Sequence, residues 1–127
     1  MEKRKLGKTG LEVSVIGFGG FHLLEIPAVE ARKLLNKYID KGGNYIETAA
    51  DYGNGESEKK IGPVIEKRRD EVVLASKTGS RTKEGALKDV NRTLDNLRTD
   101  HLDILFMHAV KSFAELEAIF SDGGAYD

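Results

Sequence analysis

Val72-Val73-Leu74-Ala75-Ser76-Lys77 is an apolar run that closes on a charge, and two runs of the same kind flank it: Asn44-Tyr45-Ile46-Glu47 upstream and Leu102-Asp103-Ile104-Leu105-Phe106-Met107-His108 downstream. Strands buried on both faces read as continuous hydrophobic runs, and an ionisable group in the middle of one would lose its water without compensation. Charges therefore gather where such strands emerge. Stretches of helical period separate the runs. Ala31, Leu34, Leu35, Tyr38 and Ile39 fall on one helical face, as do Ile61, Val64 and Ile65, then Leu87, Val90, Leu94 and Leu97, then Phe113, Leu116, Ile119 and Phe120. Alternation at this spacing argues for parallel strands joined by right-handed crossovers.

The N-terminal end completes the pattern. Arg4-Lys5-Leu6 and Glu12-Val13-Ser14-Val15 flank Gly7-Lys8-Thr9-Gly10, which suits a tight reversal between short strands. Val15 to Gly20 reads as a strand giving way to a glycine-rich loop. Pro27 can occupy a first helical turn, and Gly42-Gly43 ends that helix. Pro63 falls within the helix that begins near Glu56, which predicts a late start or a kink. The sum is a hairpin followed by four strand-helix units, with no internal repeat and no low-complexity linker, so residues 1–127 read as one domain.

Composition narrows the class. The chain has 127 residues, 39% hydrophobic and 32% charged, with a net charge of −1. That balance gives no electrostatic reason to expect nucleic acid or an anionic membrane as partner. The absence of cysteine excludes disulfides, thiolate metal sites and cysteine catalysis, and fits a cytoplasmic location. No apolar run approaches the length of a signal peptide core or a membrane span.

Parallel strands bring their C-terminal tips to one rim, and in α/β barrels that rim hosts the chemistry. Here it would receive Glu47, Lys77 and His108, with Tyr52 in the loop five residues beyond Glu47. A carboxylate, an amine, an imidazole and a phenol together suggest proton transfer. A free phenol titrates near ~10, and a cationic lysine within ~4–6 Å favours its ionised form. A carboxylate beyond the lysine would hold the ammonium, and a neutral imidazole could donate to a carbonyl oxygen. His22 and His101 have no partners at metal-ligand spacing, so no metal site is expected. Asp103, inside a strand, is expected to cap or pair structurally. Gly17-Phe18-Gly19-Gly20-Phe21-His22 fails the dinucleotide fingerprint because His stands where the last Gly belongs.

Several motifs resemble one family. Arg4 to Ser14 followed by Ile16-Gly17-Phe18-Gly19-Gly20, then Gly43-Asn44-Tyr45-Ile46-Glu47-Thr48-Ala49-Ala50-Asp51-Tyr52-Gly53, Gly55-Glu56-Ser57-Glu58, Ile61-Gly62, Ala75-Ser76-Lys77 and Asp100 to His108 are similar, in order and spacing, to bacterial and archaeal aldo-keto reductases. The resemblance implies an α/β fold of TIM-barrel type: the N-terminal β-hairpin plus the first four β/α units of a (β/α)8 barrel. It implies reduction of a small-molecule aldehyde or ketone with NADPH or NADH. Tyr52 would be the general acid, Lys77 its neighbour, His108 the residue orienting the carbonyl, and Glu47 would stand where the family has Asp. Gly20 and Phe21 match positions near the cofactor.

Two departures accompany it. The extra methylene of Glu47 shifts the carboxylate by ~1 Å, a displacement that can cost about a hundredfold in rate. An eight-stranded barrel typically needs about 250 residues, and the resemblance implies that the cofactor's pyrophosphate and adenosine contacts come mostly from the last strands and helices of such a barrel, which the 127 residues do not include. Three readings follow: a piece of a reductase, a half-barrel that self-associates, or a non-catalytic scaffold or binding protein on the same fold. Exposed barrel edges predict homo-oligomerisation in place of a stable monomer.

Overall fold

The structure of the chain is a computed structural model describing residues 1–127. Strands β1 (Lys3–Lys5) and β2 (Glu12–Ser14) form the expected antiparallel hairpin. Strands β3 (Phe18–Gly19), β4 (Tyr45–Glu47), β5 (Val73–Thr78) and β6 (Ile104–Met107) form one parallel sheet in that order. Between and after them run α1 (Ala28–Asp40), α2 (Glu56–Arg68), α3 (Lys83–Leu97) and α4 (Phe113–Phe120). Sequential strands that pair in parallel through helical crossovers are the opening half of a β/α barrel.

Register sorts the side chains into two faces. Ile46 pairs with Phe18 and Leu74, and all three point to the helices. There Leu23, Ala31, Leu35, Ile61, Ile65 and Leu97 complete a dry core between sheet, α1, α2 and α3. Their neighbours in sequence point the other way: Tyr45, Glu47, Ala75, Lys77, Ile104 and Phe106 share the inner face. No helix covers it: Ala75 is shielded by its neighbours, but Phe106 is 42% exposed.

The ends of the sheet are fixed by polar ties. At the N-terminal end of β4, Asn44 accepts the Ser14 amide at 2.7 Å and donates to the Glu12 carbonyl at 2.9 Å, docking the hairpin there. The C-terminal rim stays open. Helix α1 stops at Gly42, whose φ of +83° is a left-handed conformation that side chains disfavour.

Several sequence expectations are corrected. In the stretch Val15 to Gly20, expected to open as a strand and end as a loop, only Phe18–Gly19 is strand, because at its start the Tyr38 hydroxyl substitutes for the ladder: it accepts the Tyr45 amide at 3.1 Å and donates to the Ile16 carbonyl at 2.7 Å. Helix α2 starts at Glu56 and runs unbroken past Pro63, with no late start. Proline removes only one of its hydrogen bonds, and packing of Ile61, Val64 and Ile65 on the core offsets that loss. Leu34 and Leu87 are exposed, and the buried stripes are Ala31-Leu35-Ile39 and Ala86-Thr93-Leu97. Helix α4 buries only Ile119, while Phe113 is 86% exposed, since no element packs over its apolar side. No helix is long and apolar enough to cross a membrane.

Candidate active site

Glu47 ends β4 and Lys77 lies near the end of β5, and the parallel register brings both onto the inner face. Lys77 Nζ donates to Glu47 Oε1, to the Thr48 carbonyl at 2.8 Å and to the Tyr52 hydroxyl at 2.9 Å. It also lies 4.5 Å from the centre of the Tyr52 ring. With three oxygen partners, the ammonium has little orientational freedom left. The Tyr52 hydroxyl is 3.5 Å from Glu47 Oε1.

Burial sets the electrostatics of this group. The Lys77 side chain is only 14% exposed, and desolvation pulls its pKa down from 10.5 to about 8. An adjacent carboxylate works in the opposite direction by favouring the ammonium, so the net fall means that lost hydration outweighs the Glu47 contact.

His108 follows β6. Its amide donates to the Thr78 carbonyl at 2.9 Å, and its own carbonyl accepts Arg81 Nη2 at 2.7 Å. Arg81 also pairs with Glu115 of α4 at 3.1 Å, while its Nε and Nη1 are buried without a partner. The next residue, Ala109, takes a φ of +51°, so the chain turns sharply just beyond the imidazole. The His108 ring meets the Tyr52 ring edge to face, with centroids 5.8 Å apart, and its Nδ1 lies 3.3 Å from Asp51 Oδ2. A cleft of about 310 Å³ opens beside these groups, lined by Tyr45, Glu47, Lys77, Phe106 and His108.

Thus the four residues expected at one rim do meet there. Gly20 and Phe21 lie beside them. The Gly20 amide donates to the Glu47 carbonyl at 2.7 Å, and its own carbonyl accepts Ser57 Oγ at 2.8 Å. A Cβ at Gly20 would come within 2.8 Å of Ser57 Oγ, so glycine serves internal packing at this position. Phe21, half exposed, sets its ring edge to face against Tyr52 at 5.1 Å.

Sequence reasoning missed Thr48, Asp51 and Arg81, which contact the four through a carbonyl, a carboxylate and a guanidinium. Thr48 and Asp51 belong to the Gly43–Gly53 motif, but nothing in their spacing assigns them a contact. Ser57 and Glu58 belong to the Gly55–Glu58 motif, and their spacing likewise assigns them no partner. Both are fully buried, and Glu58 accepts from Ser76 Oγ, Thr93 Oγ1 and Asn96 Nδ2, joining α2 to β5 and α3. His22 and His101 sit in exposed pairs with Glu25 and Asp100. Asp103 pairs with Arg69 and accepts the Leu74 amide, the structural role expected of it.

A larger groove of about 900 Å³ lies on the opposite side of the sheet, between α1 and α2. Arg32, Lys33, Lys37, Lys41 and Lys67 line it, cations on a solvated helix surface with no acid-base set among them.

This partial β/α barrel with a lysine-tyrosine-histidine rim matches one family. Residues 15–122 fit the model of the Aldo/keto reductase family. The chain belongs to that family. It is 33% identical to the uncharacterized oxidoreductase YqkF of Bacillus subtilis, over 85% of this chain and 39% of that protein. It is likewise 33% identical to L-galactose dehydrogenase of Arabidopsis thaliana, over 96% of this chain and 42% of the relative. Among solved structures, the aldo-keto reductase AKR11C1 from Bacillus halodurans superposes with a TM-score of 0.81 at 29% identity, covering 94% of this chain and 45% of its own. An aldo/keto reductase from Klebsiella pneumoniae in complex with NADP and acetate superposes with a TM-score of 0.73 at 28% identity, covering 87% and 41%. The chain therefore spans less than half the length of these relatives.

Proposed function

We propose that residues 1–127 form one domain, the first half of a (β/α)8 oxidoreductase that reduces small aldehydes and ketones to alcohols with NADPH or NADH. The observation that carries this reading is the Lys77 ammonium, held by Glu47 and the Thr48 carbonyl while it donates to the Tyr52 hydroxyl at 2.9 Å.

The chemistry follows from charge. A hydride, which a reduced nicotinamide supplies, adds to the carbonyl carbon as the C=O π pair moves to oxygen. That oxygen needs a proton, and Tyr52 is the donor. The phenolate left behind is stabilised by the ammonium already in contact with it, then recovers its proton from solvent. Glu47 and Thr48 fix the ammonium, and His108, whose ring packs edge to face on that of Tyr52, would contact the substrate oxygen.

The residues present fit the reacting end of such a cofactor. Phe21 and Tyr52 offer aromatic edges beside the cleft, and Phe106 gives it an apolar wall. The α2 end of the rim does not fit its pyrophosphate. The N-terminus of α2, which follows the Tyr52 loop, carries the exposed Glu56 in its first turn, which disfavours an anion there. Cofactor anchoring would fall to elements outside these residues.

The test is carbonyl-dependent oxidation of NADPH and NADH, by this chain alone and complemented with the C-terminal half of a full-length family member. The chain alone should bind cofactor weakly at most. In the complemented form, Tyr52→Phe should cut turnover by at least a hundredfold with cofactor affinity retained. Unchanged turnover would remove Tyr52 as the acid. A non-catalytic, self-associating half-barrel is the second reading, favoured by the uncovered Leu105 and Phe106 on the edge strand β6; no turnover in either form would select it.

A further inference from the structure

His108 is held at three points, and one of its two ring nitrogens is left free. Its backbone amide goes to Thr78 and its carbonyl to Arg81, while ring Nδ1 faces Asp51 Oδ2 at 3.3 Å. Nε2 has no partner in the protein. A carboxylate can only accept, so the ring nitrogen beside Asp51 must carry the proton. In a neutral imidazole the other nitrogen is then a bare acceptor.

We propose that Asp51 is a positioning residue that fixes His108 as the Nδ1–H tautomer, so that Nε2 donates to a substrate oxygen only when the ring is an imidazolium. Resting on the reductase reading above, this refines what the histidine can do. A neutral ring in this tautomer sets one lone pair against another when it meets a carbonyl. The imidazolium instead gives the carbonyl a charge-assisted donor. An alcohol brings its own O–H and suits the neutral ring, whose Nε2 accepts. Asp51 thereby couples the choice between carbonyl and alcohol to one proton on His108, beyond the proton that Tyr52 delivers.

The second observation is Gly79, in the loop after β5. A Cβ there would lie 2.9 Å from Asp51 Oδ2, so the carboxylate occupies space that only glycine leaves open. The carboxylate is the end of a flexible side chain on a residue largely open to solvent, so a side chain at 79 can displace it without unfolding the loop. The charged and titratable groups around the imidazole are Asp51 and Tyr52 from the loop after β4, Glu47 from β4, Lys77 from β5, Arg81 from the loop after β5 and, through Arg81, Glu115 of α4. Among them only Asp51 touches a ring nitrogen.

The deciding measurement is long-range proton-nitrogen correlation NMR of the three histidine rings in this 127-residue chain, with His108 assigned from a His108→Gln spectrum. With the ring neutral, the expected result is a pyrrole-type Nδ1 and a pyridine-type Nε2. Asp51→Ala should swap the two, Gly79→Ala should swap them with Asp51 still present, and Asp51→Glu should restore the original pattern at least in part. A pyrrole-type Nε2 in the unmodified chain, or a pattern indifferent to both Asp51→Ala and Gly79→Ala, overturns the proposal. This readout needs no turnover, so loss of the reductase reading and loss of the tautomer clamp are seen separately. In a carbonyl-reducing form, kcat/KM for reduction should fall as His108 loses its proton, and Asp51→Ala should flatten that limb.

Discussion

The two faces of the parallel sheet are built from alternate residues of the same strands and meet opposite conditions. Ile46 and Leu74 point outward onto three helices and are fully buried; Tyr45, Glu47, Lys77 and Phe106 point inward to a face that no helix covers. The outer face holds the fold together, and the inner face carries the polar groups and gains little from burial. This division explains how ionisable side chains can converge without unfolding the sheet that presents them. Their cost is borne at a rim where backbone carbonyls and partner side chains remain within reach.

The sharpest way to break this comparison is to truncate one residue on each face. Leu74→Ala should cost about 2–5 kcal/mol, as cavities in closed cores do, whereas Phe106→Ala should cost less than about 1 kcal/mol because its site is already wet. Equal losses in urea denaturation would mean that the inner face is covered in solution.

Lys77 gives the next effect. Its folded-state pKa of about 8 lies below the 10.5 of the exposed amine. Between those values the unfolded chain binds more protons than the folded one, so stability rises with pH across the window. The penalty is present in full below pH 8 and disappears above 10.5. Lys77→Met should remove on the order of 1–3 kcal/mol of this rise while leaving other pH dependence in place. A slope identical in both proteins would show Lys77 to be hydrated.

The open edge supplies the third. Strand β6 has no neighbour beyond it, and Leu105 lies uncovered along it. Self-association is expected by sedimentation, and Leu105→Lys should weaken it about tenfold, or about 1.4 kcal/mol, by placing a charge on the edge. A folded, cooperative monomer at all concentrations would contradict that expectation. The smallest effect belongs to the turn after His108. Ala109→Gly relieves a left-handed alanine and should stabilise by roughly 0.5 kcal/mol, with the larger flexibility of glycine taking back part of the gain. A loss would mean that the alanine methyl packs usefully at the rim.

Much of this arrangement was legible in one dimension. Hydrophobic runs ending in Glu47, Lys77 and His108, separated by helical periods, define parallel strands whose charged tips share a rim. The helical faces were legible only in part. Leu34, Leu87 and Phe113 obey the period of their helices yet stay exposed, because period says which residues share a face and not whether another layer covers it. The shortened β3 was hidden for a similar reason, since its ladder is replaced by the hydroxyl of Tyr38, twenty-two residues from Ile16.

The sequence by itself determined the alternation of strands and helices, the family, and the four residue types at the rim, since periodicity and desolvation act locally along the chain. Only the tertiary structure decided that Lys77 reaches Tyr52 and Thr48, that Asp51 faces His108 across fifty-seven residues, and that Gly79 leaves room for that carboxylate. Those contacts depend on distances between loops, and loop separations are fixed by how the helices pack on the sheet.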